Sequence, residues 1–384
     1  MVQHVFIVGS KGFGNYGGYE TFVDKLTEYH SNEERIRYHV ACREDNNAEF
    51  LHHGAIGFNV NTMNLGPFMA IYYDLKALDY SCKYVKKHHI EDPIVYVLAC
   101  RVGPFFAHYR RKIHRLGGRL YLNPDGHEWK RGKWSKPIRA YWRISEKLMV
   151  KNADYVICDS KNIEKYILEE YGKYKPVTTF AAYGAEVGPS KMPDTDPLYL
   201  EWLGKYSVEK NGYYLIVGRF VPENNYETIV KEFMKSDSKR KLIVITTVNQ
   251  PLLEKIEATL HFSKDARVVF ADAVYNQALL AKIREGAFGY FHGHEVGGTN
   301  PSLLEALGYT NMNLLLDVNF NKEVGADAAL YWTKEENNLA ELINRTDGYS
   351  EEETAKWGER AKKRISTEYS WQHIADIYKD IFLA

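Results

Sequence analysis

Short apolar runs of strand type alternate with longer amphipathic runs of helical type, and over 384 residues this happens twice, with one interruption. In the first series, strand-type runs fall at 4–8, 36–40, 94–98, 119–122, 155–158 and 177–181. Helical periodicity fills 19–29, 70–89, 104–116, 136–152 and 162–169 between them. The stretch 184–212 breaks the rhythm with Gly184, Gly188, Pro189, Pro193 and Pro197, and predicts a connection between domains. From 213 the rhythm returns, with strands at 213–217, 241–246, 267–270, 287–291, 313–316 and 328–331, and helices at 226–235, 251–260, 276–285, 301–308 and 335–344. Helical turns at 351–366 and 371–382 close the chain.

Repeated strand–helix–strand units imply parallel sheets covered by helices on both faces. The expected fold class is therefore α/β, with two Rossmann-like domains facing each other across a cleft. Their expected limits are 1–185 and 213–366, joined by a connector at 186–212, with a C-terminal helix at 367–384 returning toward the first domain. Apolar residues make up 45% and charged residues 26%, enough for two packed cores. No run approaches the roughly 18–20 uncharged residues that cross a bilayer. The first nine residues read as a strand entering a glycine turn rather than as a signal peptide, so a cytoplasmic protein is expected. The four cysteines, Cys42, Cys82, Cys100 and Cys158, form no CxxC pair and predict buried free thiols.

Three segments carry chemistry. The block from Gly9 to Glu20 holds glycines at 9, 12, 14, 17 and 18 between a strand and a helix. Glycine lets backbone N–H groups approach a ligand, and a helix start adds positive potential, so Gly17 and Gly18 are candidates at an anion or sugar site. The spacing is neither GxGxxG nor GxxxxGK[ST], which excludes the dinucleotide and P-loop motifs on their own terms. The second segment is Val217-Gly218-Arg219-Phe220-Val221-Pro222-Glu223-Asn224-Asn225. A cation at the carboxyl end of a strand in a doubly wound sheet points to the ligand crevice, where Arg219 could neutralise a diphosphate. The third runs from His292 to Ala306. Asn300 is a good N-cap and Pro301 a good first helical residue, which leaves the amides of Ser302 and Leu303 for a diphosphate. Glu305 lies on the face of Pro301, suited to ribose hydroxyls, and as a lone carboxylate on an apolar helix it needs a partner.

Together these segments resemble the retaining nucleotide-sugar glycosyltransferases of family 4, which have the GT-B fold. The block Gly14-Asn15-Tyr16-Gly17-Gly18-Tyr19-Glu20-Thr21-Phe22-Val23 is similar to the bacterial rhamnosyltransferases that begin rhamnose-rich cell-wall or capsular polysaccharides. The resemblance runs from Val5 to about Phe382. It implies a dTDP-β-L-rhamnose donor, an acceptor GlcNAc or glucose linked to undecaprenyl diphosphate, retention at the anomeric carbon and no metal or other cofactor. It also implies that Arg219 binds the diphosphate and Glu305 the nucleotide ribose. Two positions depart from the family pattern. Asn224 stands where lysine is common, and Gly297 stands eight residues before Glu305, where a first glutamate is usual. Glu295, or groups from Gly297 through Gly298 and Thr299 to Asn300, would then serve the donor sugar, with Asn225 beside them.

A further loop, Asn123-Pro124-Asp125-Gly126-His127, also follows a strand. Asp125 or His127 could orient or deprotonate the acceptor hydroxyl, although a Pro-Asp-Gly turn explains two of these residues by itself. Asp194-Thr195-Asp196 is a DxD set between prolines and not after a strand, and it is read as connector. The pairs His52-His53 and His88-His89 lack metal-ligand companions and read as surface residues. From 101 to 151, 14 lysines and arginines face three acids, a net +11, so the rest of this neutral chain carries −11. Arg139, Arg143, Lys147 and Lys151 recur every four residues as one stripe. Arg110, Arg111 and Arg115 flank an expected apolar face of Phe105, Tyr109, Ile113 and Leu116. Such helices suit an anionic membrane surface, here the inner face of the plasma membrane, and no nucleic-acid recognition module accompanies them. Two other classes remain. A nicotinamide-dependent oxidoreductase would need a GxGxxG motif, and a non-catalytic sugar-nucleotide-binding module would lack turnover.

Overall fold

The computed structural model describes residues 2–14, 17–132 and 134–384, with Pro67 described by its backbone alone. Asn15 and Tyr16 of the glycine-rich block lie outside the described residues. The chain forms two compact units, residues 1–184 with 371–384, and residues 185–370.

The first unit is built on strands β1 (Gln3–Val8), β2 (Ile36–Cys42), β3 (Glu49–His52), β4 (Ala55–Asn59), β5 (Ile94–Leu98), β6 (Arg119–Asn123), β7 (Tyr155–Cys158) and β8 (Thr178–Phe180). They form one sheet in the order β3-β4-β2-β1-β5-β6-β7-β8. Every pairing is parallel except β3 with β4, a hairpin at the sheet edge. The crossovers are helices α1 (Gly18–Tyr29), α2 (Met69–His88), α3 (Gly103–His114), α4 (Lys136–Asn152) and α5 (Lys161–Tyr171). Central strands such as β5 are buried along their whole length, as parallel strands with helices on both faces must be. Gly9 ends β1 at φ +111°, and a Cβ there would lie 2.3 Å from the Leu98 carbonyl oxygen, so only glycine lets β1 and β5 diverge at this point.

The second unit carries α6 (Pro197–Tyr206) and a six-stranded sheet. Its strands are β9 (Tyr213–Val217), β10 (Lys241–Ile245), β11 (Val268–Ala271), β12 (Gly289–His292), β13 (Met312–Leu316) and β14 (Leu330–Trp332). All are parallel, in the order β11-β10-β9-β12-β13-β14. Helices α7 (Tyr226–Lys235), α8 (Gln250–Leu260), α9 (Gln277–Gly286), α10 (Pro301–Tyr309), α11 (Asn319–Gly325), α12 (Asn338–Asp347) and α13 (Glu351–Glu368) complete it. Ser350 and Glu353 form a capping box at the start of α13. The chain then returns to the first unit as α14 (Trp371–Leu383).

Four details differ from the sequence expectations. The β3–β4 hairpin was not anticipated, nor was α11. The supposed connector holds α6, because Pro197 is its first residue and Asp196 its N-cap, accepting from the Leu198 amide at 2.9 Å. On α3 the buried residues are Phe106, Tyr109 and Ile113, while Phe105 is exposed. The four cysteines are buried and free, and burial pushes the Cys42 thiol up to about 12 and that of Cys82 to about 11.

Helix α14 closes the first unit through aromatic packing. Tyr378 lies 5.0 Å from Phe22, and Phe382 lies 5.9 Å from Tyr96 and 6.1 Å from Tyr38, ring centre to ring centre. Phe382 is fully buried. Phe382→Ala is therefore expected to destabilise the protein by about 3–5 kcal/mol. Urea denaturation checks this, and a loss below about 1 kcal/mol would mean that α14 is not part of this core.

Candidate functional site

In both sheets the strand order reverses once, between β1 and β5 in the first and between β9 and β12 in the second. Loops diverge at such a switch point and leave a crevice outside the carboxyl ends of the strands. The glycine-rich, Arg219 and Asn300 segments fall on these loops, and the Asn123–His127 loop follows β6, the neighbour of β5.

In the second unit, the loop after β9 carries Arg219 and the loop after β12 carries residues 293–300. Asparagine side chains stitch the two loops together. Nδ2 of Asn224 donates to the Arg219 carbonyl at 2.7 Å. Nδ2 of Asn225 donates to the Gly293 carbonyl at 2.8 Å and to Glu295 Oε2 at 3.1 Å, and the Glu295 amide donates to the Glu223 carbonyl at 3.1 Å. A Cβ on Gly293 would lie 2.3 Å from the Asn224 carbonyl oxygen, so the loops touch backbone to backbone. The Arg219 side chain is exposed, and among the described residues it has no hydrogen bond or ion pair. The Nδ2 groups of Asn224 and Asn225, both expected at the donor, thus also fix the arginine loop.

Helix α10 also differs from expectation. Asn300 caps it, but the cap occupies the amides that had been assigned to a diphosphate. The Ser302 amide donates to Asn300 Oδ1 at 2.9 Å, and the Leu303 amide to the Asn300 carbonyl at 3.0 Å. Ser302 Oγ donates to the Val217 carbonyl at 2.9 Å and meets the Tyr290 hydroxyl at 3.0 Å. A buried strand-end carbonyl needs a donor, and Ser302 supplies it. Ser302 therefore anchors the helix start to β9, while the Leu303 amide closes the first turn on Asn300. Thr299 is buried and Gly298 half-buried in the same loop.

Glu305 has the partner its apolar helix demands. Its Oε2 lies 2.6 Å from Nη2 of Arg284, which is 3% exposed, while the Glu305 side chain keeps 30% of its surface. Sequence reading missed Arg284, a buried cation in the last turn of α9 that also donates to Ser302 Oγ at 3.3 Å. Glu295 is not a free carboxylate either, because it pairs with Lys334 as well as Asn225. Gly297 sits at φ +150° with open space around a notional Cβ, so backbone conformation rather than crowding favours glycine there. Beneath the loop the rings of His292 and His294 stack at 4.2 Å, and burial holds His292 well below its usual pKa.

In the first unit, Gly17 is the N-cap residue of α1 and Gly18 its first residue. Glu20, 7% exposed, accepts the Lys11 amide at 2.9 Å, and a Cβ on Gly17 would lie 2.0 Å from its Oε2. A buried carboxylate inside the loop disfavours an anion and leaves hydroxyl groups as the better ligand. The Tyr19 hydroxyl reaches Asn123 Oδ1 at 3.4 Å, joining this loop to the one after β6. There Asp125 sits at φ +61°, its amide donating to Asn123 Oδ1 at 2.9 Å while its own Oδ1 accepts the Gly126 amide at 2.7 Å. One carboxylate oxygen therefore serves the turn. Burial, and after it the Asp125 charge, raises the Tyr19 hydroxyl well above its usual pKa. His127, at φ +51°, packs its ring 4.2 Å from that of Tyr166, and burial, with Lys130 after it, pushes its pKa down to about 4. Its imidazole is neutral at physiological pH.

Sequence reading also missed Asp74 and Arg101. Asp74 is fully buried on α2, 3.2 Å from Arg101 Nη1, which also donates to the Gly9 carbonyl at 3.0 Å. Burial pushes the Asp74 carboxyl up to about 6, against the pull of Arg101. This ion pair holds the β1/β5 switch point, and a lone acid on the apolar face of 70–89 was the available signal.

The basic helices are partly neutralised. Arg110 pairs with Asp154 at 2.9 Å, while Arg111 and Arg115 are exposed. On α4, Arg139 donates to the Trp129 carbonyl at 2.7 Å, and Arg143 lies 3.3 Å from Glu170 and 5.0 Å above the Trp129 ring. Lys147 is exposed and Lys151 lies 5.6 Å from the Tyr174 ring. The stripe faces solvent beside Ile144, which is 56% exposed.

Residues 2–186 match a family described as a domain of unknown function, DUF1972. An uncharacterized glycosyltransferase of Methanocaldococcus jannaschii is 22% identical, over 95% of this chain and 94% of its own. Among solved structures, sucrose-phosphate synthase from Thermosynechococcus elongatus has a TM-score of 0.78 at 14% identity, covering 99% of both chains. Anabaena HepE, in complex with UDP and glucose, has a TM-score of 0.71 at 13% identity, again over 99% of both. The fold is thus the α/β fold with two Rossmann-like sheets that these GT-B structures share.

Glu305→Gln is expected to act twice. It weakens nucleotide binding, read by calorimetry, and it leaves the buried Arg284 without a countercharge. The second effect should cost about 1–3 kcal/mol in urea denaturation. Wild-type affinity and stability together would reduce Glu305 to an ordinary helix residue.

Proposed function

We propose that this chain transfers L-rhamnose from dTDP-β-L-rhamnose to GlcNAc or glucose carried on undecaprenyl diphosphate, with retention, and so begins a rhamnose-containing surface polysaccharide. The coarser part of that reading, glycosyl transfer from a nucleotide sugar, is supported by the glycosyltransferase relative and by the solved neighbours, of which HepE is in complex with UDP and glucose. The rhamnose donor and the lipid-linked acceptor rest on the motif resemblance. The observation that carries the reading is Arg219, an exposed cation at the β9/β12 switch point whose loop is fixed by Asn224 and Asn225.

In this reading the bond between the anomeric carbon and the donor phosphate breaks, and its electron pair leaves with dTDP. Arg219 neutralises the charge that develops there. The acceptor hydroxyl attacks from the face the diphosphate leaves, and its proton passes to the departing phosphate oxygen. No protein nucleophile and no catalytic metal are needed. Glu305 accepts from the ribose, where a thymidine donor offers only the 3′-hydroxyl. Asp125, with one oxygen committed to its turn, orients the acceptor, and neutral His127 supports that loop.

No helix among the described residues is long and apolar enough to cross a membrane. The acceptor stays in the bilayer, so the enzyme would work as a peripheral protein on the inner face of the plasma membrane, docked through α4. The deciding experiment incubates the protein with a panel of nucleotide sugars, dTDP-rhamnose and UDP-glucose among them, and lipid-diphosphate GlcNAc or glucose, with products read by mass spectrometry. A rhamnosylated lipid supports the reading, and a product only from another donor overturns the choice of rhamnose.

Two variants extend the test. Arg219→Ala should lower kcat by roughly 100- to 1000-fold, the usual cost of one lost transition-state contact of this kind, while leaving the far-UV spectrum unchanged. Wild-type turnover would remove Arg219 from the reaction. Replacing Arg139, Arg143, Lys147 and Lys151 by Glu should abolish co-sedimentation with anionic vesicles, since each cation near such a surface contributes about 1 kcal/mol. It should also slow transfer to the full lipid far more than to a short soluble analogue. Equal losses on both acceptors would argue against membrane docking by this stripe.

A further inference from the structure

The β3–β4 hairpin turns through His53 and Gly54, at φ +48° and +75°. It brings two adjacent imidazoles against the middle of α1, where Asp24 projects. His52 Nε2 lies 2.6 Å and His53 Nε2 3.8 Å from Asp24 Oδ1. Each of the three residues offers a ligand atom within 4.8 Å of the others. Asp24 is 28 positions before His52, so no local spacing announced the cluster.

We propose that Asp24, His52 and His53 form a binding site for a transition-metal dication of the zinc class, separate from the sugar-transfer site, that clips the hairpin to α1. Two imidazoles and one carboxylate suit zinc, cobalt or nickel, whereas magnesium and calcium favour oxygen ligands alone. A tetrahedral ion with bonds of about 2.0–2.1 Å sets its ligand atoms about 3.3 Å apart. The two distances to Asp24, 2.6 and 3.8 Å, bracket that spacing. The side chains of Asp24, His52 and His53 keep 23%, 36% and 37% of their surface, so an ion enters from solvent and water completes its shell. His52 lies closer to Asp24 than His53 does, and one dication would engage all three groups.

The site also reaches the glycine-rich loop. A Cβ on Gly14, at φ +61°, would lie 3.4 Å from the other Asp24 oxygen, Oδ2, and the Phe13 ring lies 4.4 Å from that of His52. Bound metal therefore ties the edge hairpin to α1 beside the glycine-rich loop.

The test uses full-length protein stripped with EDTA and dialysed, then titrated with zinc by calorimetry and with cobalt by visible absorption. One ion per chain should bind, with the cobalt bands of a four- or five-coordinate site and no uptake of magnesium. At a hundredfold excess over Kd, zinc should raise the melting temperature by about 5 °C. His53→Gln is the decisive variant, because His53 is exposed and its loss should leave the metal-free stability unchanged. It and Asp24→Asn should each weaken zinc binding at least about tenfold. His88→Gln/His89→Gln, which removes an exposed histidine pair outside this cluster, should bind like the wild type. Failure of the wild type to bind zinc, or unaltered affinity in His53→Gln, would overturn the proposal.

Discussion

Two asparagine side chains fix the geometry of the loops at the second unit's switch point. Where strand order reverses, neighbouring loops diverge and their backbone groups lose ladder partners. Asn225, held at φ +56°, spans the gap by donating to the Gly293 carbonyl and to Glu295. Asparagine tolerates that left-handed conformation better than most residues. Asn224 then fixes the Arg219 carbonyl from within the same turn. A lysine at 224 would add a second cation, but its ammonium on a flexible stem holds a carbonyl less firmly than a short amide does. The exchange concentrates the positive charge of this loop on Arg219 and gives the loop rigidity instead.

Charge burial explains most of the remaining arrangement at the strand ends. A buried ion costs more than its surroundings return unless it is paired and hydrogen-bonded. Arg284 meets Glu305, Arg101 meets Asp74, and Glu146 accepts hydroxyls from Tyr166 and Tyr171, each at 2.6 Å. Glu20 takes the Lys11 amide. These pairs set loop positions before any ligand arrives, so the site residues that look catalytic in sequence divide into those that fix the frame and those left to meet a ligand. Arg219 and the part of Glu305 that stays exposed are not used up in this way, which is why the proposed reaction rests on them. Ser302, Asn224 and Asn225 belong to the first group.

Buried histidines link the fold to pH. His39 is pushed down to about 3 and His127 to about 4, in both cases mainly by burial. In the unfolded chain these imidazoles take up protons as pH falls through about 6.5, whereas the folded protein resists until much lower. Their contribution to stability is therefore intact above pH 6.5 and is lost as pH falls toward 4 for His127 and toward 3 for His39. Asp74 works in the opposite sense, because its folded pKa near 6 exceeds the unfolded value and protonation favours the native state as pH falls.

The strands and crossover helices were legible because parallel α/β units repeat one pattern, apolar run and then amphipathic run, that side-chain type alone reveals. What escaped was short or locally ambiguous. The strand Glu49–His52 has four residues at an exposed edge, and α11 has seven. Pro197 reads equally as a breaker and as a first helical residue, and only its N-cap, Asp196, decides. On the site, sequence supplies residue types at strand ends but not who is near whom across the fold. The Asn300 cap was readable, yet its consequence, that the Ser302 amide is closed to a phosphate, depends on a hydrogen bond formed only once α10 is in place. Arg284 reaches Glu305 from a different helix. His52 and His53 seemed companionless for the same reason. The acid that meets them sits on α1, and packing of the edge hairpin against that helix, rather than spacing along the chain, brings the three groups together.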